Sequence, residues 1–205
     1  MERAEFPAAI GAHVTRGGEL VGICGGYQIL GREISDPFGV ESGGRIAAFA
    51  FLDVATELIP AKITTQVEAR PTEPSAGMNE IVRGYEIHMG RTQRGSVAAR
   101  FRVLRRLGDG AVCGEIDREA SMDGASSEDG RVWGTYIHGV FDQPGFRRRW
   151  LNQLRRRKGL EPLAVTVSET TSRKLIGAID RWADHLERNL NLIPIFSALG
   201  IGTRR

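Results

Sequence analysis

Cys24 is one of only two cysteines in the chain, and it stands among glycines in the stretch VGICGGYQILG, residues 21 to 31. The apolar residues before it predict a short buried strand, the glycines after it predict a sharp bend, and YQILGREI is typical of a helix. A thiol held on such a bend is exposed, and the N-terminus of a following helix favours the thiolate. The pattern G-x-C-x-G therefore predicts a nucleophile, as G-x-S-x-G does in hydrolases.

The glycines around Cys24 have separate expected roles. Gly22 and Gly26 are expected to relieve crowding on either side of the bend, and the backbone N–H of Gly25 is expected to donate to a developing oxyanion. A chain with 26 glycines can also produce this pattern by chance. Cys24 would then be a small buried side chain in a turn, so its interpretation depends on a partner base.

His138 is the favoured candidate for that base among the four histidines. It ends the apolar run TYIH at the carboxyl end of a predicted strand, where the sites of α/β proteins collect. An imidazole there can take the proton from a thiol and return it to a leaving group. Standing alone, His138 would be interpreted as structural, as His13 and His185 are interpreted as surface or packing residues in helices.

No metal site is predicted, because the histidines and cysteines lack the spacing of metal ligands. Cys113, in GAVCGEI, lies between apolar and glycine residues and is interpreted as core packing. The sequence also contains no P-loop, so no ATP site of that kind is expected on this chain.

The elements that must position these residues alternate between strand-like and helix-like segments, which predicts an α/β fold. Their predicted positions are helices at 6–16, 144–159 and 171–190, strands at 80–92, 96–106 and 132–141, and a mixed strand and loop region at 46–69. A turn-rich connector at 70–77 and an acidic loop at 117–131 separate some of them.

Composition predicts one globular domain of 205 residues, with 41% hydrophobic and 26% charged residues. Two cysteines argue against a disulfide framework, and no apolar stretch approaches the roughly 18 residues of a membrane span. These features predict a soluble cytoplasmic protein without a membrane partner. A net charge of +3 and the basic segment 147–159 raise nucleic acid as a partner, but 25 acidic residues offset the charge, so a solvated helix face is favoured.

Three motifs follow one another along the chain: GICGGYQILG (22–31), GYEIHMGRT (84–92) and DGRVWGTYIHGVFD (129–142). Together they closely resemble the glutaminase domain of the cobyric acid synthase family, which belongs to the class I glutamine amidotransferases with a Cys-His site. The C-terminal stretch IDRWADHLERNL is similar to that family's ending. The resemblance implies a flavodoxin-like α/β domain over residues 1–205, with a mixed, mostly parallel sheet flanked by helices and with its first strands missing.

The resemblance also implies a reaction. Cys24 would attack the side-chain amide of glutamine, and His138 would act as base toward the thiol and as acid toward departing ammonia. Gln28 matches a position that helps to bind the substrate glutamine in related glutaminases. The ammonia would then amidate corrin carboxylates, converting adenosylcobyrinic acid a,c-diamide to adenosylcobyric acid. ATP and Mg²⁺ would belong to a synthetase domain that this chain lacks, so no cofactor is expected on the chain itself.

Three further residues are candidates near the site. Glu86 and His88 lie in GYEIHMG, the motif that best separates this family from the cobyrinate a,c-diamide synthases. They alternate along an extended stretch and are expected to share one face, as part of the site wall, as a contact to the corrin partner, or only as a polar strand face. Many class I glutaminases carry H-x-E, but Val140 stands at that position here, so Asp142 and Glu86 are the candidates for orienting His138.

The chain begins late within the family's glutaminase domain, and no oxyanion loop is visible before the bend. We therefore expect the isolated chain to release little or no glutamate. Three alternatives stay open: the glutaminase domain of another class I amidotransferase, a non-catalytic remnant that binds a partner, and a basic nucleic-acid binder.

Overall fold

A computed structural model of the chain describes residues 5–72, 80–107, 122–164, 171–191 and 193–200. The chain forms two compact units, Met1–Val165 and Thr166–Arg205. Cys113 lies outside the described residues, as do most of the predicted connector 70–77 and the first five residues of the predicted acidic loop 117–131.

Among the described residues of the first unit, helices lie near both ends and an unbroken series of strands fills the sequence between them. Its described helices are α1 (Glu5–Thr15), α2 (Gly25–Ile29), a 3-10 helix (Val140–Asp142) and α3 (Pro144–Arg157). Its described strands are β1 (Leu20–Ile23), β2 (Glu33–Asp36), β3 (Gly44–Ala47), β4 (Val54–Pro71), β5 (Val82–Arg94), β6 (Phe101–Leu107), β7 (Met122–Asp123), β8 (Ala125–Ser126), β9 (Val132–Thr135) and β10 (Ile137–His138).

The smaller sheet has the strand order β1-β9-β8. β1 and β9 run parallel, with Ile23 opposite Thr135, and β8 pairs with β9 in the antiparallel sense. The parallel pair brings the carboxyl ends of β1 and β9 to one edge of the sheet. Cys24 therefore leaves its strand directly beside the residues that lead into His138.

The larger sheet is built on β4, an 18-residue strand that pairs with β5 along most of its length. The other edge of β4 is shared by β2, which runs parallel to its first residues, and by β6, which runs antiparallel to its last residues. β10 pairs with β5, with His138 opposite Tyr85. β5 thus carries the GYEIHMG motif between the long strand and the strand of His138.

The α/β class with mixed sheets flanked by helices is confirmed. Within those sheets the described pairings are mostly antiparallel rather than mostly parallel, since only β1–β9 and β2–β4 run parallel. The difference arises because β4, β5 and β6 follow one another along the chain as antiparallel neighbours, whereas a parallel pair needs a crossover connection.

Two predicted elements differ from the structure. The predicted helix YQILGREI ends at Ile29, and Glu33–Asp36 forms β2 instead. Arg32 N–H donates to the Val54 carbonyl (2.8 Å), which draws the chain into the larger sheet after one helical turn. The predicted single strand 132–141 is divided between β9 and β10, which belong to different sheets.

Two clusters of buried side chains form the core of the first unit. The first cluster gathers around Trp133 and the second around Tyr27 and Tyr136. The first cluster also contains Phe101, Phe146 and Ile137. The second cluster also contains Leu52 and Val54. Tyr27 and Tyr136 are almost fully buried and meet edge to face, with ring centroids 5.3 Å apart.

The second unit contains α4 (Thr171–Asn189) and α5 (Ile193–Ala198). The spacing of its apolar residues predicts a helix over 171–190, and α4 confirms this prediction. None of the described helices has the length and apolar character that a membrane crossing requires.

Candidate active site

Cys24 occupies the bend between β1 and α2 with φ of 55° and ψ of −114°. Positive φ is unfavourable for any residue with a Cβ, and such conformations are held only where the surrounding structure fixes them. Here the Cys24 N–H donates to the Thr135 carbonyl (2.9 Å), and the Cys24 carbonyl accepts from the N–H groups of Tyr27 (2.9 Å) and Gln28 (3.2 Å). The bend is thus fixed on both sides of the predicted nucleophile.

The space around the bend depends on Gly22. A Cβ at Gly22 would overlap the backbone carbonyl of Gly26, so β1 and the start of α2 can approach only because this residue is glycine. A Cβ at Gly26 or Gly25 would meet open space, so the predicted need for a small side chain at Gly26 is wrong. Glycine is therefore required at Gly22 in β1, and not at Gly25 or Gly26 in α2.

Cys24 and His138 both lie beside β5. The Cys24 thiol lies 3.6 Å from the Ile87 carbonyl of β5, and Tyr85, two residues earlier on β5, pairs with His138. Both predicted residues therefore contact a three-residue segment of one strand, although they arrive from different sheets.

The His138 ring lies against the Tyr85 ring, with centroids 4.9 Å apart and planes within 6° of parallel. His138 Nε2 is buried and has no hydrogen-bond partner among the described residues. A buried polar atom without a partner is costly, and the Cys24 thiol, which faces the Ile87 carbonyl, makes no hydrogen bond to this nitrogen. β10 comes close enough to β5 for the two rings to stack because Gly84 has no Cβ, which would overlap the His138 carbonyl oxygen.

Gly25 begins α2, and no acceptor for its backbone N–H is found in the part of the chain that the structure describes. This is the state expected of a first-turn N–H. Gln28, one helical turn after Cys24, donates through Nε2 to the Tyr136 hydroxyl (3.2 Å). α2 is only five residues long, so its dipole is smaller than the one that the predicted helix would supply.

Glu86 is 2% exposed and accepts from Nε (2.9 Å) and Nη2 (3.1 Å) of Arg106. Successive side chains of a strand point to opposite faces, so Glu86 and Tyr85 lie on opposite faces of β5. Paired residues share a face, which places the His138 ring with Tyr85 and away from Glu86. The structure therefore brings Glu86 to Arg106 rather than to the histidine that it was expected to orient.

Asp142 is the other predicted orienting residue. It lies in the 3-10 helix that follows His138, and its N–H donates to the Gly139 carbonyl (2.9 Å). No hydrogen bond joins its carboxylate to the His138 ring among the described residues.

His88 lies on the face of β5 that carries Glu86, opposite the face on which the Tyr85 and His138 rings stack. Its Nδ1 donates to the Gly90 carbonyl (2.8 Å), because a carbonyl oxygen can only accept. Burial lowers the pKa of His88, so the ring is neutral near pH 7 and its Nε2 is an acceptor. The ring stacks on Tyr136 with centroids 3.8 Å apart, which makes His88 part of an aromatic wall.

Sequence reasoning missed Asp123 and Tyr136. The buried Asp123 carboxylate accepts from the Thr135 hydroxyl and from the Tyr136 N–H (3.2 Å), while Thr135 Oγ1 accepts from the Ile137 N–H (3.0 Å). Burial raises the pKa of Asp123 to about 6. The segment between β9 and β10 is therefore tied to one buried carboxyl group.

The sequence offered little signal for these two residues. Asp123 lies in a stretch rich in acidic and small residues, which is typical of a solvated loop. Tyr136 belongs to the motif of His138, but in an apolar run an aromatic residue is ordinarily a core residue. Only the tertiary contacts distinguish them.

The family model of the CobB/CobQ-like glutamine amidotransferase domain matches residues 1–146. Cobyric acid synthase of Chloroflexus aurantiacus (strain ATCC 29366 / DSM 635 / J-10-fl) is 44% identical over 171 residues, which are 82% of this chain and 31% of that protein. Cobyric acid synthase of Syntrophobacter fumaroxidans (strain DSM 10017 / MPOB) is 38% identical over 198 residues, 94% of this chain and 37% of that protein.

A third relative, cobyric acid synthase of Rhodobacter capsulatus, is 38% identical over 189 residues, 92% of this chain and 34% of that protein. The chain thus spans about a third of the length of the curated relatives it matches. Among solved structures, that of PurLQS from Thermotoga maritima overlaps 73% of this chain and 68% of its own, with 18% identity and a TM-score of 0.49.

The family model covers the bend of Cys24, the GYEIHMG motif and the strand of His138, and the three relatives cover most of the chain. The chain belongs to the CobB/CobQ-like glutamine amidotransferase domain family.

Proposed function

We propose that Cys24 and His138 form a glutaminase site, and that its ammonia serves the ATP-dependent amidation of corrin carboxylates in cobalamin biosynthesis. The observation that carries this proposal is the strained bend of Cys24 together with the buried, unpartnered Nε2 of His138, both held against residues 85–87 of β5. A core cysteine would need neither a positive φ nor a nearby imidazole with a free nitrogen.

In the proposed reaction the Cys24 thiol gives its proton to His138 and its sulfur attacks the side-chain carbonyl carbon of glutamine. The backbone N–H of Gly25 donates to the oxyanion that develops on that carbonyl oxygen. His138 then protonates the amide nitrogen, the C–N bond breaks, and ammonia leaves a γ-glutamyl thioester. Water, deprotonated by His138, attacks the thioester and releases glutamate with the free thiol.

The corrin step rests on the named relatives, which are called cobyric acid synthase and are about three times as long as this chain. By analogy with them, ATP and Mg²⁺ would activate the corrin carboxylates on a synthetase domain, and this chain would supply the ammonia. Coexpression of the chain with the synthetase part of such a relative, in a strain lacking cobyric acid synthase, tests this step through restored cobalamin formation.

The glutaminase site is tested by labelling with a diazo-ketone analogue of glutamine, followed by peptide mass spectrometry. We expect the label on Cys24, with protection by added glutamine. His138→Ala is expected to slow labelling about a hundredfold, because it removes the base.

His13→Ala is the matched control, since His13 is an exposed histidine whose ring lies against Gly18 and the Glu19 carbonyl, the latter 3.1 Å from Nε2. It is expected to label at the rate of the unchanged chain. Absence of label on Cys24 in the folded chain, or labelling that glutamine does not slow, would contradict the proposal.

A further inference from the structure

The Tyr136 hydroxyl lies at the centre of a chain of side-chain hydrogen bonds beside Gln28. Gln28 Nε2 donates to it at 3.2 Å, and it lies 2.6 Å from Thr92 Oγ1, which in turn lies 2.7 Å from Thr56 Oγ1. The phenol oxygen accepts from Gln28, while in the Tyr136–Thr92 and Thr92–Thr56 pairs either hydroxyl can be the donor. The hydroxyl group is thus held by two side chains, those of Gln28 and Thr92.

The hydrogen bond to Tyr136 orients the Gln28 amide. An amide whose Nε2 donates to the phenol keeps its Oε1 as an acceptor. A substrate glutamine offers two kinds of donor to such an oxygen, the α-ammonium group and the carboxamide NH₂. The bond from Nε2 to Tyr136 therefore sets the position in which Oε1 can accept from the substrate.

Packing holds the Tyr136 ring still. His88 stacks on one face at a centroid distance of 3.8 Å, and Tyr27 meets the ring edge to face at 5.3 Å. The Tyr136 residue is 6% exposed, and its backbone N–H is bound by Asp123. A phenol held from both sides has one position for its oxygen, which is what a positioning group needs.

Gly90 supports the same arrangement from β5. A Cβ at this position would overlap Gln28 Nε2 and would lie 2.6 Å from the Tyr136 hydroxyl. The last glycine of GYEIHMG thus leaves the space in which the amide and the phenol meet.

We infer that Tyr136 is a positioning residue for glutamine recognition, which sets the orientation of the Gln28 amide through its hydroxyl group. This inference rests on the proposed glutaminase site. It predicts that loss of the hydroxyl weakens recognition of glutamine-like molecules and leaves the intrinsic reactivity of the Cys24 thiol unchanged.

The test compares two reagents on the Tyr136→Phe variant. The diazo-ketone analogue of glutamine needs the recognition site, whereas methyl methanethiosulfonate reacts with a thiol and has no glutamine-like group. We expect Tyr136→Phe to lower the second-order rate of Cys24 labelling by the analogue about tenfold, as loss of one hydrogen bond implies. The rate with methyl methanethiosulfonate should be unchanged.

Tyr27→Phe is the matched control. Tyr27 packs in the same aromatic cluster, and no hydrogen bond to its hydroxyl is found among the described residues. It is expected to label with both reagents at the rates of the unchanged chain. Thermal unfolding of each variant establishes that it is folded at the labelling temperature.

A double-mutant cycle separates positioning from a general structural effect. If Tyr136 acts through Gln28, the variant with both Tyr136→Phe and Gln28→Ala labels with the analogue no more slowly than Gln28→Ala alone. Additive losses, or an equal loss with both reagents, would overturn the inference while the glutaminase site stands. If the unchanged chain is not labelled on Cys24 by the analogue, the proposed function fails and this inference fails with it.

Discussion

Asp123 is buried beside the segment that joins β9 to β10. Its carboxyl group binds Thr135 and Tyr136, the residues that connect the Cys24 bend to His138. Because burial disfavours the charged form, the pKa of Asp123 rises from 3.8 to about 6. The native chain therefore keeps this proton between about pH 4 and pH 6, where the unfolded chain has lost it.

Stability should respond to pH in a definite direction at this residue. Where the native state holds more protons than the unfolded state, the free energy of unfolding falls as pH rises. A pKa change of about 2 units corresponds to about 3 kcal/mol. The stability difference is the unfolding free energy of the unchanged chain minus that of Asp123→Asn. We expect this difference to fall by about this amount between pH 4 and pH 7. Urea titrations at four pH values measure it, and a difference independent of pH would contradict it.

At this scale the sequence predicted the residues that carry local signals. Cys24 is a candidate because glycines and an apolar run surround it within a few positions, and His138 because it ends an apolar run. Asp123 and Tyr136 act through partners 12 to 108 positions away, such as Thr135 and Gln28. Hydrogen bonds of that range leave no local pattern, so the sequence alone could not identify them.

β5 is the element that assembles the site. One of its backbone carbonyls contacts the Cys24 thiol, one of its rings stacks on His138, and its inward face carries Glu86 and His88. The first and last residues of GYEIHMG are glycines because other groups approach β5 closely there. Gly84 admits the backbone of β10, and Gly90 admits the amide of Gln28.

The first of these glycines gives a prediction about the strand pair. In Gly84→Ala the new Cβ meets the backbone oxygen of His138, which cannot move aside as the end of a side chain could. We expect a loss of about 1–3 kcal/mol in the free energy of unfolding, together with slower labelling of Cys24. Guanidinium titration and the diazo-ketone assay measure the two effects.

Gly11→Ala serves for comparison, because a Cβ there meets nothing within 4 Å and the residue lies in α1. It should raise the free energy of unfolding by about 0.5–1 kcal/mol, since alanine is a better helix former than glycine. If Gly84→Ala behaved like Gly11→Ala, the close approach of β5 and β10 would not be a constraint.

Elements were predicted unevenly, for physical reasons. Helices α1, α3 and α4 follow from local periodicity and agree closely with the structure. β4 was expected to be a mixture of strand and loop, yet it is continuous because β5 pairs along it from outside the segment. The two-residue strand β10 and its transfer to the other sheet depend on pairing with β5, which periodicity within 132–141 cannot reveal.

At the scale of the whole molecule, the candidate site lies where two sheets meet. β9 belongs to the smaller sheet and β10 to the larger, and only Tyr136 separates them along the chain. The predicted nucleophile is held by one sheet and the predicted base by the other. The distance between Cys24 and His138 therefore depends on how the two sheets pack. That packing is made by the two core clusters, which contain Trp133 and Tyr27 respectively.

Both core clusters consist of residues within the first unit, Met1–Val165. The segment after α3 is also bound within that unit, since the Asn152 side chain makes two hydrogen bonds to the Leu163 backbone. We expect a chain of residues 1–165 to unfold cooperatively on heating and to keep the labelling of Cys24. Calorimetry and the diazo-ketone assay measure this. Loss of a cooperative transition would mean that Thr166–Arg205 contributes to folding of the first unit.

At position 24 the positive φ lowers the stability of the chain, while the cysteine side chain supplies the thiol. Glycine is the one residue that adopts this conformation without steric cost, so Cys24→Gly would relax the bend and remove the thiol together. If the thiol is the nucleophile that we propose, a substitution that relieves the strain also removes the reactive group. Under the proposed glutaminase function, the strain at this bend is the cost of having a thiol at position 24.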